Sequence, residues 1–313
     1  MVETKLNFFL IGAPKAGTTF IHERLSYHRQ VFLSPLKEPN HFAKDIQPHR
    51  FSTAFKANHP DDLESYFARR PLVPRQVGFV QDPDQYAALF EEAAPEHKVV
   101  GECSTSYLWS AEAASMVAAR HPEARILAVL RNPVDRLYSH WLMARKYGFT
   151  GDGLMEAVKK DRRHANPGWG CSELFVEAGL YAKQLERWYA AFPAGQIKVM
   201  LHEDLSDPDT WNGLADWLQL EGPIPAADSE RVNQAGLPRW EGLNRWLTAT
   251  GLKGRLSGWL PDRIKSSLRN NWYSSQGVPA LDSADRRVLF GLFEEDVTAL
   301  ESVIGRDLGH WRP

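Results

Sequence analysis

A loop with the composition of a phosphate-binding turn follows the first apolar run of the chain. The run Phe8–Gly12 predicts a short strand, and the residues up to Thr19 supply small side chains, one lysine and two threonines. Apolar residues at helical spacing over 20–28 then predict a helix. A turn between a strand and a helix directs backbone N–H groups and the positive end of the helix toward one point. Phosphate is the ligand that this arrangement favours, with Lys15 as its cation.

The loop differs from a Walker A motif in one respect. Gly12 and Gly17 have the spacing of G-x-x-x-x-G-K-[ST], but Thr18 stands where that motif has its lysine. The lysine lies inside the loop instead, at Lys15. The alternative is an ordinary tight turn, with glycine at positive φ and threonine as a helix cap. The complete string from Gly12 to Thr19 favours phosphate binding over that alternative.

A second candidate for phosphate binding follows the clearest buried strand, Arg125–Leu130. This strand ends at Arg131, and Asn132-Pro133 provide a cap and a first residue for the next helix. Arg131 with its planar charged fork and Ser139 with its hydroxyl can hold one phosphate from two sides. Considered alone, an arginine paired with a glutamate and a serine on an exposed helix face would be the simpler interpretation. Beside the first loop, phosphate binding is favoured.

A lysine and a glutamate follow the next predicted strand, Val31–Leu33. Pro35 and Pro39 exclude a helix here, so Lys37 and Glu38 belong to an extended loop. Ligands of open α/β sheets bind outside the carboxyl ends of strands, so Glu38 faces the first loop if the two strands are parallel neighbours. A solvated Glu38 paired with Lys37 is an equally good interpretation of the sequence.

The composition narrows the class of protein. The chain of 313 residues is long enough for one large α/β domain, and its net charge of −2 gives no basic field for nucleic acid. The two cysteines, Cys103 and Cys171, lack C-x-x-C spacing, and no Cys/His cluster has metal-ligand spacing. The apolar run near the start is too short for a signal peptide or a membrane span. We therefore expect a cytoplasmic protein without a metal, and its oligomeric state is unknown.

The remaining elements alternate between strands and helices, as in an α/β fold. Ser104 and Thr105 are predicted as caps of the helix after the third strand. Segments 43–96 and 148–178 lack strong periodicity and are predicted as insertions into a single domain spanning 1–313; the part from Pro208 on is helical and rich in tryptophan. Further strands are predicted at Lys98–Gly101 and Gln196–Leu201, and helices at Pro83–Glu92, Ala111–Arg120, Val134–Lys146, Leu154–Asp161, Ala182–Ala191 and Asp285–Ile304.

Together these motifs resemble the sulfotransferases that use 3′-phosphoadenylyl sulfate (PAPS), of the bacterial and heparan-sulfate type. P-K-x-G-T-T is similar to the 5′-phosphosulfate loop of that family, and R-N-P-x-x-R-x-x-S-x-W to its 3′-phosphate motif. Four further segments support the resemblance by their order: Lys37-Glu38-Pro39, Gly101–Leu108, Gly179–Tyr181 and the tail Gly305–Trp311. The resemblance covers nearly the whole chain. It implies a P-loop-like three-layer α/β sandwich around a central parallel sheet of about five strands.

The resemblance also implies a reaction and roles for the donor site. A sulfuryl group would pass from PAPS to a hydroxyl or amine, leaving adenosine 3′,5′-bisphosphate (PAP). Arg131 and Ser139 would fix the 3′-phosphate, and Tyr181 would lie near the nucleotide. The 5′-phosphate would be held by the backbone amides and threonine hydroxyls of Lys15, Ala16, Gly17, Thr18 and Thr19.

The catalytic roles follow from the same resemblance. Lys15 would neutralise charge on the bridging oxygen as PAP leaves, and Glu38 would take the proton of the acceptor, with His41 as the next candidate base. Glycan-type relatives often carry a lysine after the glutamate of the third-strand motif, where this chain has Cys103. The acceptor is expected to be a carbohydrate or a small natural product. Segments 43–96 and 148–178 are expected to shape the pocket that binds it.

Two other classes of function stay open. A P-loop kinase or NTPase would need a lysine directly after Gly17 and an acidic Mg²⁺ ligand at a strand end, where Glu102 is available. A non-catalytic nucleotide-binding protein would have the loop without the chemistry. Leu130 is followed by Arg131 and not by an aspartate, which counts against the kinase, and the joint presence of Lys15, Glu38, Arg131 and Ser139 counts against the non-catalytic protein.

Overall fold

Five parallel strands form the central sheet, in the order β2-β3-β1-β4-β5. The computed structural model describes residues 6–59, 62–226, 237–238, 248, 250, 273–274 and 280–313. The strands of the sheet are β1 (Phe8–Gly12), β2 (Val31–Leu33), β3 (Val99–Cys103), β4 (Arg125–Leu130) and β5 (Ile197–Leu201). The predicted α/β fold with a parallel sheet of about five strands is therefore confirmed.

Helices flank this sheet. They are α1 (Thr18–Ser26), α2 (Thr53–Asn58), α3 (Leu63–Phe67), α4 (Pro83–Ala88), α5 (Ser106–Trp109), α6 (Ala113–Arg120), α7 (Pro133–Tyr147), α8 (Leu154–Asp161), α9 (Tyr181–Ala191), α10 (Pro208–Leu218), α11 (Ser283–Phe290) and α12 (Glu294–Ile304). Two-residue strands β6 (Leu237–Pro238) and β7 (Tyr273–Ser274) pair antiparallel. Most of the tryptophan-rich segment predicted to be helical lies outside the described residues. None of the described helices is long and apolar enough to cross a membrane.

The middle strands of the sheet are covered on both faces. Every residue of β1 and β3 is buried, as the unbroken apolar pattern of a parallel strand requires. Phe8 pairs in register with Gly101, where an added Cβ would lie only 2.4 Å from the Phe8 carbonyl oxygen. Glycine at 101 therefore lets the two strands approach. The common strand direction brings all five carboxyl ends to one edge of the sheet.

Helix α7 begins as the sequence predicts. The Asn132 side chain accepts hydrogen bonds from the amides of Val134 at 3.0 Å and Asp135 at 3.4 Å, and Pro133 is the first helical residue. Gly148 ends the helix at φ 82°, a left-handed conformation that glycine adopts readily. This capping fixes the direction in which α7 leaves Arg131.

The prediction of one helix over Asp285–Ile304 is wrong. The chain turns between α11 and α12 at 291–293, starting at Gly291, a poor helix former. The turn seats Phe293 in the core, where its ring would lie 2.9 Å from a Cβ at Gly179. With the helix broken, the apolar side chain of Val288 in its first half is 59% exposed.

Candidate active site

Each strand of the sheet delivers a polar side chain at its carboxyl end. Lys15 follows β1, Glu38 follows β2, Thr105 follows β3, Arg131 follows β4 and His202 follows β5. This edge is where ligands bind in open α/β sheets. The edge therefore forms the candidate active site.

The loop between β1 and α1 has the geometry of an anion site. Gly17 is the N-cap of α1 at φ 106°, and no side chain caps the helix. Among the described residues, no backbone carbonyl accepts from the amides of Lys15, Gly17, Thr18 and Thr19. A Cβ at Gly17 would lie 2.7 Å from Leu205 Cδ1, so glycine alone fits there. Free amides at the positive end of a helix suit phosphate oxygens.

The side chains of the loop divide between the interior and the site. Thr18 is buried and lies beside the Cys103 thiol, whereas Thr19 is half-buried. The contact of the two threonine hydroxyls with phosphate stays a prediction. The Ala16 carbonyl oxygen accepts from His202 Nδ1 at 3.1 Å, which ties the loop to the end of β5.

The two phosphate motifs meet in space. Arg131 Nη1 donates to the carbonyl oxygen of Lys15 at 3.2 Å, across 116 positions of sequence. Ser139 is half-buried on α7, and its hydroxyl makes no hydrogen bond to another described residue. A guanidinium beside the loop and a hydroxyl on the next helix are thus both available to a phosphate.

Lys15 lies among positive charges. Burial, together with nearby Lys146, Arg131 and Lys37, lowers the pKa of Lys15 to about 8, against the opposing effect of Glu38. Its backbone is left-handed, at φ 70°. An ammonium group in such surroundings is stabilised by an anion placed between the cations.

The Glu38 carboxylate is held at both oxygens. Lys37 Nζ lies 3.0 Å from Oε1, and Thr105 Oγ1 donates to Oε2 at 2.9 Å. The backbone is fixed as well, because the Glu38 amide donates to the Cys103 carbonyl at 2.7 Å. The side chains of Lys37 and Glu38 are only 6% and 17% exposed. The pairing with Lys37 is thus present, but the expected alternative of a solvated surface glutamate is wrong.

The prediction that Ser104 or Thr105 caps the helix after β3 holds for position only, because Thr105 is the N-cap residue of α5 but its hydroxyl does not cap the helix. No side chain caps this helix. Thr105 donates to Glu38, and Ser104 donates to Glu102 Oε2 at 2.5 Å. Hydrogen bonds to a carboxylate are stronger than bonds to a helix amide, so the two hydroxyls turn toward the carboxylates.

Cys103 lies beneath the ion pair. Burial raises the pKa of the Cys103 thiol to about 12, so it is neutral at pH 7. Burial works to lower the pKa of Lys37, but the Cys103 sulfur and the Glu38 carboxylate beside it hold that pKa above its ordinary value. With a neutral thiol, Glu38 is the charged partner of Lys37.

His41 and Tyr181 are packed into the interior. His41 Nδ1 donates to the Val80 carbonyl at 2.7 Å, its ring stacks on Tyr86, and burial lowers its pKa to about 4. Its surroundings do not fit the role of second candidate base. Tyr181 is fully buried, and its hydroxyl donates to the Arg131 carbonyl at 3.0 Å. The contact of Tyr181 with a nucleotide stays a prediction, and the structure shows it holding Arg131.

Sequence reasoning missed Thr105 and His202 as parts of the site. Both follow the end of a strand directly, and the rule that ligands bind at carboxyl ends could have identified them. For Thr105, the preference of threonine for N-cap positions favoured a capping role over a role in the site. His202 belongs to none of the sequence motifs described above.

The fold is a P-loop-like α/β fold. Its site combines a lysine-bearing anion loop, an arginine bonded to that loop and a carboxylate that is held at both oxygens, and together these features define an enzyme class. The chain belongs to the sulfotransferase family, whose model matches residues 7–221. The resemblance inferred from the motifs and the expected enzyme class, a sulfotransferase, are thereby confirmed.

Relatives of known name support this assignment. The chain is 26% identical over 231 residues to carbohydrate sulfotransferase 15 of Rattus norvegicus, covering 63% of this chain and 40% of that protein. It is 25% identical over 202 residues to heparan sulfate glucosamine 3-O-sulfotransferase 3A1 of Mus musculus, covering 64% and 42%. The chain thus spans about two fifths of the length of these relatives. The crystal structure of a sulfotransferase from Alicyclobacillus acidocaldarius superposes with a TM-score of 0.67 at 25% identity, covering 98% of this chain and 99% of that one.

Proposed function

We propose that this protein transfers a sulfuryl group from PAPS to a hydroxyl or amine of a carbohydrate or small natural product, with Glu38 as general base. The observation that carries the proposal is the hydrogen bond from Arg131 to the Lys15 carbonyl. It brings the arginine of one candidate phosphate site into direct contact with the loop of the other.

The donor groups present fit PAPS. The loop amides, which bond to no described backbone carbonyl, and the Lys15 ammonium suit the 5′-phosphate. Arg131 and the Ser139 hydroxyl, which bonds to no other described residue, suit the 3′-phosphate. When bound, PAPS supplies an activated sulfuryl group and a phosphate leaving group. The low pKa of Lys15 indicates an ammonium that gains most when an anion arrives.

The residues of this chain would then work by position and charge. Lys15 stabilises the negative charge that develops on the bridging oxygen. Glu38 Oε1 or Oε2 takes the proton from the acceptor hydroxyl. Lys37 and Thr105 keep the carboxylate fixed, so that it needs no reorientation during the reaction.

A kinase is the weaker candidate. Its Mg²⁺ would need Glu102, the carboxylate at the end of β3. That carboxylate is fully buried and accepts hydrogen bonds from Tyr86, Tyr107 and Ser104 at 2.9, 2.6 and 2.5 Å. The side chain is therefore committed to the interior.

The experiment measures binding before turnover. Isothermal titration with PAP and with ATP and Mg²⁺ should give clearly tighter binding of PAP, and Lys15→Ala should weaken it without an equal loss of thermal stability. Turnover of PAPS with a panel of sugars and phenols, read by mass gain of the acceptor, then tests transfer. Tighter binding and hydrolysis of ATP would contradict the proposal, whereas PAP binding without turnover would indicate a non-catalytic protein.

A further inference from the structure

A cluster of rings joins the two predicted insertions. We call Phe51, Phe55, His59, Phe79 and Phe149 the aromatic wall. The Phe51 ring centroid lies 4.7 Å from those of Phe55 and Phe79, and Phe55 lies 4.3 Å from His59 and 6.3 Å from Phe149. Four members come from the segment 43–96 and Phe149 from 148–178. All but Phe51 are half-buried, so part of the surface of each of the other four residues remains accessible.

The two insertions are packed tightly behind these rings. The Ser52 amide donates to the Gly170 carbonyl at 2.9 Å, and Cys171 Sγ donates to the Arg50 carbonyl at 3.3 Å. Gly170 is left-handed at φ 73°, and a Cβ there would lie 2.5 Å from the Phe51 ring. This contact holds Phe51 in place as the base of the aromatic wall.

The aromatic wall begins beside the candidate base. Residues 75–80 run alongside 35–39, with the Gly78 amide donating to the Glu38 carbonyl at 3.0 Å and the Val80 amide to the Pro39 carbonyl at 2.9 Å. Phe79 therefore sits one residue from the backbone partner of Glu38. The charge of Glu38 also acts on His59, which places the imidazole within electrostatic range of the carboxylate.

The aromatic wall offers one hydrogen-bond acceptor among its apolar faces. His59 Nδ1 lies 3.1 Å from the Phe55 carbonyl oxygen, which can only accept. The proton of the neutral ring is therefore on Nδ1, and Nε2 is left with a lone pair. Nε2 makes no hydrogen bond to another described residue. Burial lowers the pKa of His59, which keeps this ring neutral.

The charges that act on the His59 imidazole disfavour an anionic group beside that ring. Arg75, on the segment that carries Phe79, is ion-paired with Asp62 at 2.5 Å. The other is the Glu38 carboxylate, itself paired with Lys37, which would repel an anionic group placed beside His59. Apolar faces with acceptors at Glu38 and His59 match a ligand that has a flat C–H face and several hydroxyl donors.

We propose that the aromatic wall binds a neutral pyranose, whose C–H face stacks on Phe79 and Phe149 and whose hydroxyls donate to Glu38 and to His59 Nε2. This inference rests on the proposed function, since it places the acceptor beside the same base. It narrows the acceptor to an uncharged sugar, in contrast to a sulfated or uronic-acid polymer.

The test measures binding, so that it does not depend on turnover. Saturation-transfer NMR on the full chain loaded with PAP compares three probes: a panel of neutral trisaccharides, desulfated heparin oligosaccharides, and estradiol as an apolar ring without a polyol. Phe79→Leu, Phe149→Leu and His59→Phe are compared with Phe67→Leu, a half-buried ring in the same insertion outside the aromatic wall. Circular dichroism melts confirm that each variant is folded.

We expect at least one neutral trisaccharide to bind, with its dissociation constant raised about 3–10-fold by each of the three variants and unchanged by Phe67→Leu. The PAP dissociation constant should be unchanged in all four. Binding of the uronic-acid oligosaccharides or estradiol alone, no effect of the variants, or no trisaccharide binding would each overturn the inference. Loss of PAP binding in the unmodified protein would instead contradict the proposed function.

Discussion

The geometry of Glu38 allows its chemistry to be separated from its structural role. Glutamine has the same shape and can keep the bond from Thr105, but it cannot accept a proton. We expect Glu38→Gln to lower kcat by about 10²–10⁴-fold, the usual contribution of a general base, and to leave PAP affinity unchanged. Steady-state kinetics with the acceptor found in the panel give the first quantity and titration calorimetry the second. Glu92→Gln, at an exposed position, is the matched control. Near-normal turnover of Glu38→Gln would remove Glu38 from the mechanism.

Thr105 is a positioning residue for the same carboxylate. Its hydroxyl donates to Oε2 at 2.9 Å, and valine has the same shape without the donor. We expect Thr105→Val to lower kcat about 5–30-fold, the effect of one hydrogen bond to a charged group. In the Glu38→Gln background, the same change should cost little more, because there is no base left to position. Equal effects in both backgrounds would show that Thr105 acts on folding or on another group.

The lowered pKa of Lys15 predicts a pH dependence of PAP binding. With a pKa of about 8, Lys15 is cationic below that pH and becomes neutral above it, while the phosphates of PAP stay fully ionised. The bound anion raises this pKa, so binding above pH 8 requires proton uptake. We expect the association constant to fall by up to about tenfold per pH unit between pH 8 and 9.5. Titration calorimetry of Lys15→Arg, which stays charged, should show a flat profile. A fall of the same size in Lys15→Arg would assign the titration to another group.

The sequence singled out side chains that stand in motifs and missed side chains that stand in none. Lys15, Glu38 and Arg131 stand in patterns that fix their neighbours along the chain. Ser104 and Thr105 could serve a helix end or a carboxylate, and local sequence favours the helix end. In the structure, Ser104 bonds to the Glu102 carboxylate and Thr105 to the Glu38 carboxylate. The position of Glu38 relative to Thr105 depends on the order of the strands in the sheet.

The corner between β4 and α7 is built from distant parts of the chain. Tyr181 donates to the Arg131 carbonyl, and Asp296 on α12 accepts from the amides of Tyr181 at 2.7 Å and Ala182 at 3.1 Å. Asn132 donates from its side-chain amide to the Trp311 carbonyl at 2.8 Å. The C-terminal helix and tail thus fix the corner from which Arg131 reaches the donor loop.

This arrangement predicts that Tyr181 acts on nucleotide binding through Arg131. We expect Tyr181→Phe to lower the free energy of unfolding by about 1–2 kcal/mol, because a buried carbonyl loses its donor. PAP affinity should fall only about 3–10-fold, through looser placement of Arg131. Chemical denaturation and titration calorimetry measure the two, and Tyr189→Phe, half-buried on the same helix, is the control. A loss of PAP affinity above about a hundredfold with unchanged stability would indicate direct contact with the nucleotide.

Strands and capped helices were predicted well, and the break in the predicted helix Asp285–Ile304 has its cause in tertiary packing. β1, β2 and β4 have the predicted bounds, because an unbroken apolar run between polar ends leaves little choice. Apolar residues recur at helical spacing on both sides of Gly291 within Asp285–Ile304, so this spacing does not indicate a break in the helix. The turn there is set by the fit of Phe293 against Gly179, a contact that no local pattern records.

The fold class followed from the alternation of strands and helices, but the order of strands and the packing of the insertions did not. Nothing in the sequence of β2 indicates that β3 lies between β2 and β1 in the sheet. Segments 43–96 and 148–178 lack periodicity, yet Phe51 packs on Gly170 and Phe55 stacks on Phe149. Such pairings arise from the arrangement of the whole chain, which is why no pattern along the sequence indicates which rings meet.

Glu102 links the sheet to two other parts of the molecule. From β3 it accepts hydrogen bonds from Tyr86 on α4, in the first insertion, and from Tyr107 on α5. Tyr107 in turn accepts from the Phe42 amide at 3.1 Å. Burial raises the pKa of Glu102 to about 7, although these hydroxyls and that of Ser104 favour the ionised form.

The raised pKa of Glu102 gives the stability of the whole fold a pH dependence that one substitution can isolate. Between the unfolded value of 4.5 and the folded value of about 7, the native state binds the extra proton, so stability falls as pH rises through this window. Histidines with lowered pKa, such as His22 and His41, have the opposite slope but act equally in a Glu102→Gln variant. We expect the stability of Glu102→Gln relative to the unmodified protein to rise by roughly 2–3 kcal/mol from pH 4.5 to pH 8, measured by urea denaturation. A difference that stays constant would mean that the three hydroxyl donors keep Glu102 ionised throughout, and that hydrogen bonding outweighs burial at the centre of this network.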